Sequence, residues 1–247
     1  MLTGFYTIAS GLLTRQRELD VLGSNLVNSQ TPGYRASRLV TSAFEMELQS
    51  RQEALAMGTF GVGKPVSTVE EVTPLFDSGV IKATDRDMDM AIDGPGYYAI
   101  SGADGQIYLT RNGQFNMDED GYLVLPDFGY VMGHNGRILL ETEKFDVRED
   151  GTLVDAWGTL DTLQILVPQE GTELEKLDNG LFRAVDGGAL TDSDGYRVVQ
   201  GSLELSNVDA NREMTLLMEA QNAFRNCSSA FQIIDSMDRK TSQIAAI

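Results

Sequence analysis

From Ser206 to Ile247 the chain runs 42 residues without a glycine or a proline. Within it Leu216, Ala220, Ala223, Cys227, Ala230, Ile234, Met237 and Ile244 fall at alternating steps of four and three, broken only by Thr241. That spacing puts one apolar stripe along one face of a helix. Met214, Leu217, Phe224 and Phe231 make a second stripe beside it, so the apolar face is wider than one partner helix needs. The pattern predicts a helix from about Asp209 to Ile244, about 54 Å long, capped by Asn207 or Asp209. Two readings stay open. The helix folds onto the middle of its own chain, or it packs between molecules.

The N-terminus carries a shorter version. Phe5, Ile8, Leu12, Leu19, Leu22 and Leu26 keep the same steps, with Arg15 in the one missing slot. A helix is expected over Thr3–Asn28, about 39 Å long. Gln30-Thr31-Pro32-Gly33 ends it, because proline breaks the hydrogen-bond ladder and glycine accepts left-handed dihedrals. Asn25 and Asn28 lie near that end, where their amides can bond the free carbonyls.

Between the helices the character changes. Residues 1–56 are neutral, 206–247 carry a net charge of −1, and 57–205 carry −17 of the chain's −18. The middle also holds 21 of the 25 glycines. Asp-Gly or Asn-Gly pairs recur at 93, 104, 112, 120, 135, 150, 179, 186 and 194. Such pairs supply the positive φ of hairpin turns. Short strands are expected between them, at Tyr97–Ser101, Gln106–Thr110, Tyr122–Leu125, Leu163–Val167 and Arg197–Val199. Evenly spaced strands of this kind suggest an antiparallel, barrel-like domain. The fold class is therefore α+β: long terminal helices forming a coiled-coil-like stalk, with an inserted all-β domain. The expected divisions are 1–35 (helix and turn), 36–80 (extended or loop connector), 81–205 (β-rich domain) and 206–247 (helix). In the connector, Phe44, Met46 and Leu48 alternate weakly, and Gly58 to Lys64 reads as a loop.

Composition excludes several functions. The acidic balance argues against nucleic acid, which needs clustered Lys and Arg. No apolar run reaches 18 residues, so no membrane insertion is expected. Met-Leu-Thr-Gly-Phe-Tyr at the start lacks a basic and then apolar signal region, so no cleaved secretory signal is expected. The single cysteine, Cys227, cannot make an internal disulfide and reads as a small packed side chain. The single histidine, His134, sits in a Gly-His-Asn-Gly turn with no cysteine or second histidine near it in sequence, and no G-x-S-x-G elbow accompanies it. Asp85, Asp87 and Asp89 would share one face of a strand and could face a cation, but a solvated face is the simpler reading. Asn116–Gly121 opens like a calcium loop but fits a hairpin better. Trp157, beside Gly158, reads as an exposed contact on the β domain or as part of its core, and the core is the favoured reading. No catalytic residue, metal site or cofactor is expected, and the chain is not read as an enzyme.

Four segments, in order, resemble flagellar basal-body rod and hook proteins, of the proximal or distal rod type. "NLVNSQTPGYR" (25–35) is similar to the family's signature after its first helix, through Asn25, Leu26, Asn28, Thr31, Gly33 and Tyr34. "GVIKATDRDMDMAIDGPGYYAI" (79–100) resembles a second segment, through Asp89, Ala91, Ile92, Gly94 and Gly96. "YLTRNGQFNMDEDGYLV" (108–124) resembles a third, through Arg111 and Gly113. "QGSLELSNVDANREMTLLMEAQNAFRNCSSAFQIID" (200–235) resembles the terminal signature, through Gly201, Glu204, Ser206, Asn207 and Val208. Val27 and Asn222 depart from the residues usual at their places.

The resemblance implies a structural subunit that stacks helically into a hollow tube, transmits torque and passes exported subunits. Its expected partners are other copies of itself, neighbouring rod and hook proteins, and the flagellar type III export apparatus. Its expected location is the basal body, reached without a cleaved signal. The subunit-packing residues would be Phe5, Ile8, Leu12, Leu19, Leu22, Leu26, Met214, Leu217, Ala220, Phe224, Cys227, Phe231 and Ile234. The resemblance also implies terminal helices that order on assembly, since an exposed double stripe would aggregate if it folded early. The competing reading is a secreted monomeric β enzyme or carbohydrate-binding module with helical appendages.

Overall fold

Both apolar stripes become helices: α1 spans Leu2–Val27 and α2 spans Ala210–Ala245. The computed structural model describes residues 2–43, 67–75, 77–142, 144–169, 171–177 and 180–245. Helix α1 stops one residue before the expected Asn28, because Asn28–Gln30 tighten into a 3-10 turn and Pro32 and Gly33 (φ +69°) follow. Helix α2 starts at its cap. The Asp209 Oδ1 accepts the backbone N–H of Asn211 (3.0 Å) and of Arg212 (3.3 Å), so Asp209 and not Asn207 is the N-cap.

The described residues cluster into two units. The first holds 1–27, 37–75 and 209–247. In it α1 and α2 pack together, beside an antiparallel pair of strands, β1 (Ser37–Ala43) and β2 (Ser67–Pro74), with a bulge between Val40 and Thr41. These strands take up the two ends of the expected connector. The readings on Phe44, Met46, Leu48 and Gly58–Lys64 lie outside the described residues.

Leu22 and Ala220 are buried in this unit. Ile8, Leu12, Leu19 and Leu26 on α1 are half-buried, as are Leu217, Phe224, Cys227, Phe231 and Ile234 on α2. Phe5 lies on α1, with its side chain outside the described ones. Apart from Met214, which is 54% exposed, the second stripe is thus partly covered within the chain. Open apolar surface lies elsewhere: Met218, Ile233 (60% exposed) and Met237 on α2, and Leu13 and Val27 on α1.

The second unit holds 28–36 and 76–208. Its strands are β3 (Ile81–Ala83), β4 (Met90–Asp93), β5 (Tyr97–Gly102), β6 (Ile107–Thr110), β7 (Asn116–Met117), β8 (Leu123–Leu125) and β9 (Gly129–Gly133). There follow β10 (Gly136–Arg137), β11 (Asp146–Val147), β12 (Thr152–Val154), β13 (Thr159–Thr162), β14 (Ile165–Pro168) and β15 (Leu174–Lys176). The last four are β16 (Phe182–Ala184), β17 (Leu190–Asp192), β18 (Arg197–Gln200) and β19 (Ser202–Glu204). The main sheet runs β15-β16-β6-β5-β9-β8-β7, with β14 joining β5 to β17. Every pairing among the described residues is antiparallel. The sheet does not close into the expected barrel among the described residues. Its outermost strands, β15 and β7, are two or three residues long and do not pair with each other. Strands this short cannot supply the continuous stagger that closure requires.

Strand β5 organises the core because both of its faces are apolar. Tyr98 and Ile100 point into the larger cluster, with Phe115, Leu123, Val131, Leu153 and Leu163. Tyr97 and Ala99 point into a smaller one, with Leu109, Leu166 and Phe182. This is the alternation of a strand covered on both sides. Edge-to-face contacts anchor the larger cluster, with the Tyr98 and Phe115 rings 5.0 Å apart.

Two expectations fail here. Trp157 is 83% exposed. Asp155 Oδ1 accepts the N–H groups of Trp157 (2.7 Å) and Gly158 (2.9 Å), and this Asx-type turn at the β12–β13 tip holds the indole out. Asp85, Asp87 and Asp89 do not share a strand face. Asp85 sits at φ +58° and a turn precedes Asp89, which is buried with the Arg86 guanidinium 3.5 Å away. Among the described residues no three acidic, histidine or cysteine side chains gather as a metal would need, and no helix is long and apolar enough to cross a membrane.

Candidate functional site

The turn after α1 does not float free of the β unit. Gly33 N–H donates to the Glu204 carbonyl (2.8 Å), and Asn207 N–H donates to the Tyr34 carbonyl (3.3 Å). Asn207 binds the turn from a second side: its Oδ1 accepts Ala36 N–H (2.7 Å) while its Nδ2 donates to the Asp77 carbonyl (3.0 Å). Ser206 Oγ accepts Val208 N–H (3.3 Å) and shapes the bend that presents Asn207. Three distant segments, 31–36, 77–79 and 204–208, are thus joined by backbone-directed bonds.

A buried charge cluster lies under this junction. Arg35 and Glu204 are each 1% exposed, and Arg111 is also buried. Arg35 Nη1 lies 2.7 Å from Glu204 Oε1, and Arg111 Nη1 lies 3.3 Å from Glu204 Oε2. One carboxylate therefore holds two guanidiniums. The surplus positive charge is met by carbonyl oxygens: Arg111 donates to Ile92 (3.0 Å) and Gly94 (2.6 Å), and Arg35 to Asp77 (2.5 Å). Gly79 N–H adds a further bond to Glu204 Oε1 (2.8 Å). Burial pulls the Arg111 guanidinium below its ordinary pKa, and Glu204 beside it pushes back. Burial also raises the Tyr98 phenol far above its ordinary value.

Lys176, at the end of β15, completes the cluster. Its Nζ donates to the Arg35 carbonyl (2.5 Å) and stands 3.7 Å from the centroid of the Tyr34 ring. Burial brings its ammonium down to about 8. Arg35 and Lys176 were not singled out from sequence. The available signal was that Arg35 ends the "TPGYR" motif as its one charged side chain.

Glycines let these segments approach. A Cβ on Gly33 would sit 2.2 Å from the Arg111 carbonyl carbon, and one on Gly113 would sit 1.6 Å from the Met90 oxygen. Gly94 and Gly96 take positive φ at the β4–β5 turn, and Gly96 is pressed against Ile165. Ala91 and Ile92 are buried on β4, which pairs with β18, and Gly201 N–H donates to the Asp89 carbonyl (2.8 Å). Thr31 Oγ1 donates to Asn28 Oδ1 (3.2 Å). The four recognised segments are therefore spatial neighbours around one junction.

Asn25 acts in the helical unit. Its amide donates to the Ser37 carbonyl and accepts Ser37 N–H, both at 2.9 Å, so it clamps β1 instead of bonding only its own helix end. Its Nδ2 also lies 3.4 Å from Glu213 Oε2. Leu26 beside it is half-buried.

Family models match three stretches: "Flagella basal body rod protein" over residues 5–35, "Flagellar hook protein FlgE/F/G D1 domain" over 91–180, and "Flagellar basal body rod FlgEFG protein C-terminal" over 199–244. Each stretch supplies one member of the charge cluster, Arg35, Arg111 and Glu204 in turn. The chain is 31% identical to the flagellar basal-body rod protein FlgG of Bacillus subtilis (strain 168), over 96% of this chain and 97% of that protein. It is 30% identical to the flagellar hook-basal body complex protein FlhP of the same organism, with the same coverage. With FlhO, another hook-basal body complex protein of that organism, it shares 28% identity over the full length of both.

Proposed function

The chain belongs to the flagellar basal-body rod FlgE/F/G family, and from that premise we propose that its copies stack helically into a hollow tube through α1 and α2. The family is structural and not enzymatic, and its place is the basal-body rod of the hook-basal body complex. The tube would transmit torque and pass exported subunits. Partners would be further copies, neighbouring rod and hook proteins, and the flagellar type III export apparatus.

One observation carries this reading. After α1 and α2 have packed together, Met214, Met218, Ile233 and Met237 still face solvent on α2. Clustered exposed apolar side chains on a helix mark a surface that binds protein. The acidic 57–205 segment supports a complementary role as the outer wall, since mutual repulsion keeps such segments hydrated and apart. The packing set would comprise the stripe residues from Phe5 to Leu26 and from Met214 to Ile234, together with Met218 and Ile233.

Deleting the gene is expected to abolish motility and leave a truncated or absent rod. A motile deletion strain with normal basal bodies would sink the reading. Within the polymer, Phe224→Asp and Ile233→Asp are each expected to block assembly of the purified chain, followed by sedimentation. The β unit should keep its cooperative melt in both. Ile233→Asp is the cleaner variant because the side chain is exposed and leaves the helix pair intact. Normal assembly of that variant would remove Ile233 from the interface.

A further inference from the structure

Glu213 stands in the first turn of α2 and is 5% exposed. An ionised carboxylate offers about four acceptor sites. Its side chain has the long 3.4 Å contact with Asn25 and, among the described residues, no cation within 4.0 Å. The unpaired N–H groups of the helix start ease the burial of its charge but supply no counter-ion. Glu213 lines a groove of about 160 Å³ walled by Val21, Leu22, Leu39 and Leu216, with Glu18 and Arg38 also lining it. Glu18 is already held by Arg15 at 2.6 Å. The groove thus pairs apolar walls with one carboxylate that makes no ion pair within 4.0 Å among the described residues, Arg38 included.

That combination suits an arginine, whose methylenes lie along apolar walls while its fork engages a carboxylate. A water's share of liquid is about 30 Å³, so the groove has room for a guanidinium and its last methylenes. The chain carries a matching group. Arg225 is exposed on α2 and forms no ion pair among the described residues. It lies seven residues beyond Met218, two turns on, and so on the same face as that exposed side chain.

We propose that the groove beside Glu213 receives Arg225 from α2 of a second copy of this chain. The contact rests on the polymer reading above and deepens it, by naming an ion pair that fixes how one helix pair seats on the next. It also accounts for a buried carboxylate that has no counter-ion among the described residues.

Polymerisation of the purified full-length chain, followed by light scattering and sedimentation, tests this. Arg225→Glu and Glu213→Gln are each expected to raise the critical concentration about tenfold or more. The double variant Glu213→Arg with Arg225→Glu is expected to recover most of that loss. Arg225 is exposed, so its variant does not put the fold at risk, and an unchanged helix content by circular dichroism checks this. If the wild type polymerises and Arg225→Glu does so at the same concentration, the pairing is overturned and the polymer reading stands. If the charge-reversed pair fails to recover when both single variants are impaired, the pairing is again overturned. A wild type that never polymerises removes the polymer reading and this contact with it.

Discussion

Glu204→Ala is expected to lower the unfolding free energy of the β unit by about 3–5 kcal/mol, the range for removing one partner of a buried ion pair. The size follows from what is left behind. Arg35 and Arg111 would remain buried with no carboxylate, held only by the carbonyls of Asp77, Ile92 and Gly94. Two guanidiniums that now share one acid would repel each other in a medium that screens poorly. The Gly79 N–H would lose its acceptor as well. Urea unfolding of the full chain, monitored on the β unit, measures the loss. A double-mutant cycle with Arg35→Ala should show strong coupling, because Arg35 loses its purpose once Glu204 is gone. A loss under about 1 kcal/mol, typical of exposed pairs, would contradict the burial. Replacing all three charges by apolar residues of similar volume is a different experiment, and a much smaller loss is expected there.

Gly113→Ala is expected to cost about 3 kcal/mol, the upper end for overpacking, with a matching drop in melting temperature. The new methyl carbon would be placed 1.6 Å from the Met90 oxygen and 2.8 Å from its carbonyl carbon. Both neighbours are backbone, so no side chain can rotate aside. The Met90 N–H bond to the Gly113 carbonyl (3.0 Å) would be pried open at the same time. Gly105→Ala makes the control: it adds a methyl into open space at a φ of +75°, so it reports dihedral strain alone. Gly113 has no positive φ, so its cost is contact alone, and a loss there under about 1 kcal/mol would contradict the clash.

These cases mark what was readable from the residues. Periodicity placed both helices to within about a residue or two. The Asp-Gly and Asn-Gly pairs placed most turns, because positive φ has few sequence solutions. Asn112-Gly113 matched the same pattern for a different reason: Gly113 is needed for a close approach between two segments of the chain, which only the fold reveals. The motif segments were legible, but not that Arg35, Arg111 and Glu204 converge. Pairing between residues so far apart leaves no local trace. The exposure of Trp157 was not legible because the side chain of Asp155 decides it, through the turn it holds. The exposure of Met218 and Ile233 was hidden for a related reason. Two adjacent stripes define a face, but the helix that covers it is chosen by the tertiary structure.

The bonds that join Tyr34, Ala36 and Asn207 have a mechanical consequence. Ala36 and Asn207 are 171 positions apart in the chain yet share one hydrogen bond of 2.7 Å. A pull arriving along the backbone at Gly33 can leave at Asn207 through a few bonds and one buried salt link. The strands between them are bypassed like a loop of wire beside a short circuit. The intervening β unit can then lengthen, shorten or change its surface over evolutionary time without lying in the path of the load.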